Sequence, residues 1–296
     1  MQQEAPVRGD QPGTSHPDAY HGRMFDVPVS LSPSRVEAFT SCPMAFRFAS
    51  IEKLPEPPGI HMTRGSLVHR ALELFFMSPA ADRTAARLHT ALEAALVEYH
   101  TDPEFTGLAL GPDEITEFER ECHELIGNYL RMEDPTAVRE IGLELHLSAQ
   151  VDTLTLRGII DRLELDSDGE LVVTDYKTGR APSEHYEQKS LAGVHFYSFL
   201  CERVFGRRPR AIRLMYLRSG ETITATPSEQ SVKFITTRTQ AVWKAVERAC
   251  QTGDFRPRPG PLCSGCAFQE WCPAFGGDPE RAAVEATARY ALLAPA

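Results

Sequence analysis

The stretch from Arg157 to Gly179 constrains the fold more than any other part of this chain. It holds two runs rich in Ile, Leu and Val on either side of the turn-forming cluster Asp166-Ser167-Asp168-Gly169, the pattern of a β-hairpin. With a loop over residues 166–170, Leu165 faces Leu171, Leu163 faces Val173 and Asp161 faces Asp175. Side chains two apart share a face, so Lys177 lies beside Asp175 and opposite Ile159. Two carboxylates and one ammonium then crowd the end of an otherwise apolar face. Burying them is costly unless a cation sits between the carboxylates, and a divalent metal fits that need. The same residues also fit a solvated strand end with one surface ion pair. A loop of different length by one residue would turn Asp161 to the other face.

The 296 residues suffice for one large domain or two ordinary ones. Hydrophobic residues at 42% and charged residues at 24% are ordinary for a soluble globular protein. Basic residues number 31 against 41 acidic, a net charge of −10, so the chain has no general affinity for polyanions. A local basic groove would still suffice for nucleic acid. No apolar run reaches the roughly 18 residues of a membrane span. Residues 1–24 are polar, without a secretory core segment, and read as a disordered tail. Seven cysteines without an export signal point to a reducing cytoplasm and to metal ligation rather than disulfides.

Order is expected from about residue 25 to 278, as one domain, with a C-terminal tail over 279–296. Ser32-Pro33-Ser34 starts a helix, and Thr63 to Ser66 offers caps for another with Val68, Ala71, Leu72 and Phe75 inward. His69 sits at the edge of that stripe, a packed or solvated histidine as readily as a ligand, with Glu73 one turn on. A helical insertion over about 80–135 carries Leu88, Leu92, Ala95, Leu96 and Tyr99, then Ile115, Phe118, Cys122, Leu125, Ile126 and Tyr129. The period then becomes two, giving strands at about 138–147 and 150–157 before the hairpin. Glu144, between Leu143 and Leu145, reads slightly better as a solvent-facing strand residue than as a further metal-shell carboxylate. A helix over about 185–204 carries Tyr197, a hairpin follows at 211–217 and 221–226, and a helix over 229–250 turns Val232, Ile235, Ala241, Val242 and Val246 inward. Arg203, Arg207, Arg208 and Arg210 lie in a span without acids, either a phosphate track or a solvated helix end.

Cys263, Cys266 and Cys272 form a C-x2-C-x5-C array, and three thiolates this close suit one metal centre that needs a fourth ligand. Cys42 fits: it also precedes a proline and lies in a polar segment, whereas Cys122, Cys201 and Cys250 fall on helices. Spacing alone leaves zinc and an iron–sulfur cluster both open. Either would tie the N-terminal part to the 253–275 segment.

In order, Cys42, Gly65-Ser-Leu-Val-His69, Gly158-Ile-Ile-Asp161, Thr174-Asp-Tyr-Lys177-Thr-Gly, Phe196-Tyr197 and the cysteine array resemble the RecB-type branch of the PD-(D/E)XK nucleases. The similarity spans residues 27–278. It is closest to standalone actinobacterial "RecB family exonuclease" proteins, and extends to CRISPR-associated adaptation nucleases and the AddB nuclease domain. The resemblance implies an α/β, restriction-endonuclease-like core: a central mixed sheet, a helical insertion, and a cysteine-bound cluster joining the N- and C-terminal segments. It implies that His69, Asp161, Asp175 and the Tyr176 carbonyl hold Mg²⁺ or Mn²⁺, that Lys177 and Tyr197 assist catalysis, and that Cys42, Cys263, Cys266 and Cys272 bind a [4Fe–4S] cluster. The implied activity is metal-dependent DNA hydrolysis, exonucleolytic on single-stranded or frayed ends, alone or with a helicase or recombination partner. The family's usual glutamine four residues before the tyrosine is Gly193 here. That departure keeps open a non-catalytic DNA-binding subunit.

Overall fold

The computed structural model describes residues 23–290, except for the side chains of residues 184–194, so most of the expected N-terminal tail, the last six residues of the expected C-terminal tail and the side-chain surroundings of Gly193 lie outside the described residues. The first helix, α1 (Pro33–Ser41), starts where its signals place it: the Ser32 hydroxyl accepts the Arg35 N–H, and Pro33 opens the helix. A short α2 (Pro43–Phe46) runs into one π turn, Arg47–Ile51. Helix α3 (Ile60–Phe76) begins upstream of the expected Thr63–Ser66 caps. Thr63 and Arg64 are instead buried inside it, because Arg64 has an anionic partner in Glu121. The insertion comprises α4 (Ala85–Tyr99), the single-turn α5 (Pro103–Thr106) and α6 (Pro112–Met132).

Five strands form one mixed sheet in sequential order: β1 (Glu140–Val151), β2 (Leu154–Leu165), β3 (Leu171–Lys177), β4 (Ala211–Tyr216) and β5 (Glu221–Ala225). Only β3 and β4 are parallel. The crossover between them is α7 (Glu184–Phe205), as a parallel pair requires. The long α8 (Glu229–Thr252) starts with reciprocal Ser228–Ser231 capping and stops at Gly253, whose φ of 71° is left-handed.

The hairpin register matches the expectation at Leu165–Leu171 and Leu163–Val173, but the ladder ends at Arg162–Thr174, so the expected Asp161–Asp175 and Ile159–Lys177 facings are not part of it. The strands before it differ. One strand runs unbroken to Val151 and another from Leu154, around a tight turn in which Asp152 takes φ 54°. Ser148, read as a break, is simply the exposed member of an alternation in which Leu147, Ala149 and Val151 are buried. In α8, Ala241 faces solvent and Thr239 and Trp243 take the buried positions.

Each sheet face has its own core. One packs Leu147, Ile160, Leu163, Val173 and Leu214 against α7, α8 and the N-terminal helices. The other packs Tyr176, Met215 and Leu217 against α3, α4 and α6. Part of the expected C-terminal tail joins the first core: α9 (Ala282–Arg289) buries Ala282 and Ala286 completely. Among the described residues no helix is long and apolar enough to cross a membrane.

Candidate active site

Strands β2 and β3 pair from Leu165–Leu171 to Arg162–Thr174 and then separate. The opening is filled from the N-terminal side by Leu31, which bridges Leu156 and exchanges backbone hydrogen bonds with Thr155 and Arg157. Asp161 and Asp175 are the first residues past the last pair. The Tyr176 N–H, left without a ladder partner there, donates to Asp161 Oδ2 at 2.7 Å. Across β1, Glu144 falls between the pairs Leu143–Arg162 and Leu145–Ile160, hence opposite Asp161, and holds φ 42°. Helix α3 brings His69 over this fork. Its Nε2 lies 3.0 Å from the Tyr176 carbonyl, and its Nδ1 lies 3.5 Å from Asp161 and 3.9 Å from Glu144. Lys177 Nζ lies 2.5 Å from Asp175 Oδ2. On α7, the Tyr197 hydroxyl donates weakly to Asp175 Oδ1 at 3.4 Å. Gly158 makes this approach of α7 feasible, because a Cβ there would stand 2.8 Å from Leu200 and 3.4 Å from Tyr197.

The electrostatics follow from burial. Desolvation, reinforced by the charge of Asp175, pushes the Asp161 carboxyl up to about 7 against the opposing pull of His69 and the Tyr176 N–H. Burial also raises Glu144. For Lys177, burial pulls the ammonium down, but the Asp175 carboxylate reverses this and holds it above the ordinary lysine value. Burial and the two aspartates keep the Tyr197 phenol protonated. His69, Glu144 and Asp161 offer ligand atoms within 4.8 Å of one another, a set able to hold a metal ion. Asp175 is outside that set, beside Lys177.

The Tyr176 ring passes to the other sheet face, where Arg162 donates to its hydroxyl at 2.7 Å. That arginine is fully buried and fully partnered, by Glu133 at 2.5 and 3.0 Å and Glu164 at 2.6 Å. Arg213 adds a bond to Glu164 at 2.9 Å. An open groove of about 1520 Å³ runs past His69, Glu144, Asp161, Asp175, Lys177 and Tyr197, and Arg35 and Arg157 line it too.

A family model for the PD-(D/E)XK nuclease superfamily matches residues 30–273. The chain belongs to that superfamily. It is 25% identical over 289 residues to the Gene 69 protein of Mycobacterium phage L5, across 82% of this chain and 96% of the relative. The Gene 69 protein of Mycobacterium phage D29 is 25% identical over 268 residues, with the same two shares of 82% and 96%. Among solved structures, a Eubacterium rectale protein described as a candidate exonuclease superposes with a TM-score of 0.52 at 9% identity. That match covers 80% of this chain and 87% of the other, and it is a likeness of fold.

In this PD-(D/E)XK chain the arginines expected to track phosphate do not reach the fork. Arg210 precedes β4, and its N–H pairs with Leu171, at the opposite end of β3 from Lys177. It meets Asp166 and Asp168, Arg207 meets Glu170 at 3.0 Å, Arg208 meets Glu202 at 3.2 Å, and Arg203 stacks on Phe199. Acids of the hairpin loop and of α7 thus match Arg207, Arg208 and Arg210. Arg35 and Arg157, by contrast, form no ion pair within 4.0 Å among the described residues. Sequence reading passed over both, although Arg157 directly precedes the Gly158-Ile-Ile-Asp161 motif.

The four expected cysteines do come together. Cys42, Cys263, Cys266 and Cys272 line one pocket walled by Met44, Phe48 and Phe268. The Arg258 N–H points at Cys42 Sγ at 3.5 Å and the Gly260 N–H at Cys263 Sγ at 3.3 Å. Among the described residues no three of these sulfurs lie within 4.8 Å of one another. Gly277 closes the segment: a Cβ there would fall 2.1 Å from the Glu270 carbonyl oxygen.

Proposed function

We propose that this protein is a divalent-metal-dependent deoxyribonuclease, acting on single-stranded or frayed DNA ends. The observation that carries the reading is the fork itself: three carboxylates and a histidine converge beside a charged lysine in an open groove. His69 and Asp161 would hold a divalent ion there, which when bound would supply positive charge to a phosphodiester and lower the pKa of water. Lys177, kept protonated by Asp175, orients the attacking water and faces the charge that builds on the phosphorus oxygens. Tyr197 holds Asp175 from the α7 side. Arg35 and Arg157 are suited to grip the flanking phosphates, because no acid neutralises them. An exonuclease of the RecB type is the form the motif order favours.

The test is cleavage of an end-labelled single-stranded oligonucleotide with Mn²⁺ or Mg²⁺, compared with excess chelator. Wild type cleaves only with metal, and Lys177→Ala loses at least about a hundredfold while keeping its melting temperature. Full activity in Lys177→Ala and in Asp161→Asn would sink the mechanism. DNA binding with no cleavage by wild type would favour the non-catalytic subunit that Gly193 leaves open.

We also propose a [4Fe–4S] cluster on Cys42, Cys263, Cys266 and Cys272. The support is that all four cysteines line one pocket, with two backbone N–H groups turned to their sulfurs, and that the motif order resembles the branch of the family that carries such a cluster. The cluster supplies a covalent tie between α2 and the segment after α8. Anaerobically purified protein should be brown with about four irons per chain; a colourless protein with one zinc refutes the assignment.

A further inference from the structure

Helix α8 packs on α7 and α1 and buries Ile235, Thr239, Trp243 and Val246. Its period sends Lys233, Lys244 and Arg248 to the exposed face, with Arg238 half-buried at the margin. None of these four cations forms an ion pair within 4.0 Å among the described residues. The two acids of the helix, Glu229 and Glu247, share one edge of the face and reach none of them. Helix α6 shows the usual alternative, since Glu117 and Glu124 both bond Arg120. In a chain of net charge −10, four unpaired cations on one helix are a segregation of charge that a polyanion would relieve.

The position of this face relates it to the fork. One wall of the groove follows β1 and β2 from Glu144 and Asp161 out to the paired residues Ser148 and Arg157. The same strands close a few residues on, in the turn at Asp152, where the Gln240 side chain of α8 donates to Asp152 Oδ2 at 2.8 Å. Lys244 stands one helical turn beyond Gln240. A nucleic acid that leaves the fork past Arg157 is thus led to the middle of α8. From Lys233 to Arg248 the helix spans about 22 Å, the length of about six base pairs.

The composition of the face selects the occupant. Phe234 is its one exposed large hydrophobic residue among the described residues, so it offers no row of platforms for unstacked bases. Nor has it an apolar side to insert into a lipid surface, because Ile235, Trp243 and Val246 are buried in the core. Cations alone suit the phosphates of a duplex, read without regard to sequence. We propose that α8 seats the duplex adjoining the single-stranded end that enters the fork, with Lys233, Arg238, Lys244 and Arg248 against its phosphates. The proposal rests on the nuclease reading above and gives it a substrate class, paired DNA with a single-stranded tail.

Fluorescence anisotropy on the full-length protein with excess chelator, over a series of NaCl concentrations, tests it. The probes are a single-stranded oligonucleotide and the same oligonucleotide as the tail, in either polarity, of a duplex of about 20 base pairs. Wild type should bind the tailed duplex at least about tenfold more tightly than the single strand. Combining Lys233→Gln, Lys244→Gln and Arg248→Gln should remove that gain and lower the slope of log affinity against log salt by about 2–3, at about 0.9 per phosphate. Binding of the single strand should stay within about twofold. Lys244→Gln alone should lower the slope by about one, and it carries the test should the triple variant melt below wild type. Equal binding of the two probes by wild type, or an unchanged slope in the variants, overturns the duplex seat in favour of an acidic protein partner and leaves the nuclease reading standing. An equal loss on both probes also overturns it, because α8 then holds the single strand. A wild type that binds neither probe and, given Mn²⁺, cleaves neither overturns both readings.

Discussion

At the start of β3 the acids of the hairpin loop, Asp166, Asp168 and Glu170, each meet an arginine, Arg207 or Arg210. At its other end Glu144, Asp161 and Asp175 share one lysine and one histidine. Two acidic groups of similar size thus stand about 17 Å apart along one strand, at about 3.3 Å per residue. The first is compensated and solvated, and it asks for no ligand. The second is half-buried and under-compensated, and Asp161 is pushed up to about 7 in consequence. The lesson is that site and surface differ less in which residues are present than in whether each charge has found a partner. Directly behind the fork a third arrangement completes the contrast: Arg162 is fully buried, yet Glu133 and Glu164 bond it from two sides.

Removing charge from the uncompensated end should have the largest effect. Asp161→Asn should lower metal-dependent cleavage by at least about a thousandfold. The same change should stabilise the metal-free fold. The folded-state pKa of Asp161, about 7, is above its ordinary 3.8, so folding disfavours the ionised form. The penalty is absent below about 4, grows as pH rises towards 7, and is complete above it, on the order of a few kcal/mol. Thermal melts of metal-free wild type should therefore fall over that window, and Asp161→Asn should flatten the fall. An unchanged pH profile would remove the electrostatic argument for the fork.

Breaking the compensated pair behind the sheet comes next. Arg162→Met should destabilise the fold by about 3–5 kcal/mol, because Glu133 is left without its cation and Glu164 keeps only Arg213. Chemical denaturation measures this, and a loss under about 1 kcal/mol would show that the network is worth little. Among surface cations, Arg157→Gln should weaken binding of a single-stranded oligonucleotide severalfold and reduce its salt dependence. The smallest effect belongs to the compensated end: Arg207→Gln with Arg210→Gln should leave oligonucleotide affinity within about twofold and stability within about 1 kcal/mol. A larger loss from that pair than from Arg157→Gln would reverse the comparison.

Much of this was legible in the chain before any coordinates. The hairpin register could be read because Asp166 to Gly169 is a strong turn signal and the flanking strands alternate cleanly. The helices of the insertion and α8 followed from apolar periodicity. The four cysteines were legible from spacing and a shared Cys-Pro context, and they do share one pocket. What was not legible depends on partners distant in sequence. Glu144 looks like any solvent-facing strand residue, since neither its left-handed backbone nor the approach of His69 leaves a local trace. The arginines from 203 to 210 look like a basic patch until the hairpin loop folds back beside them. Arg162 reads as the polar half of an alternation, and only packing against α6 makes it the most buried charge in the sheet.

The most direct test of the account is anomalous scattering from a crystal of the full-length protein soaked in MnCl2. The account predicts a manganese peak inside the fork, within about 2.3 Å of His69 and Asp161. No peak there, or manganese bound only by Asp166, Asp168 and Glu170 at the opposite end of β3, would contradict it.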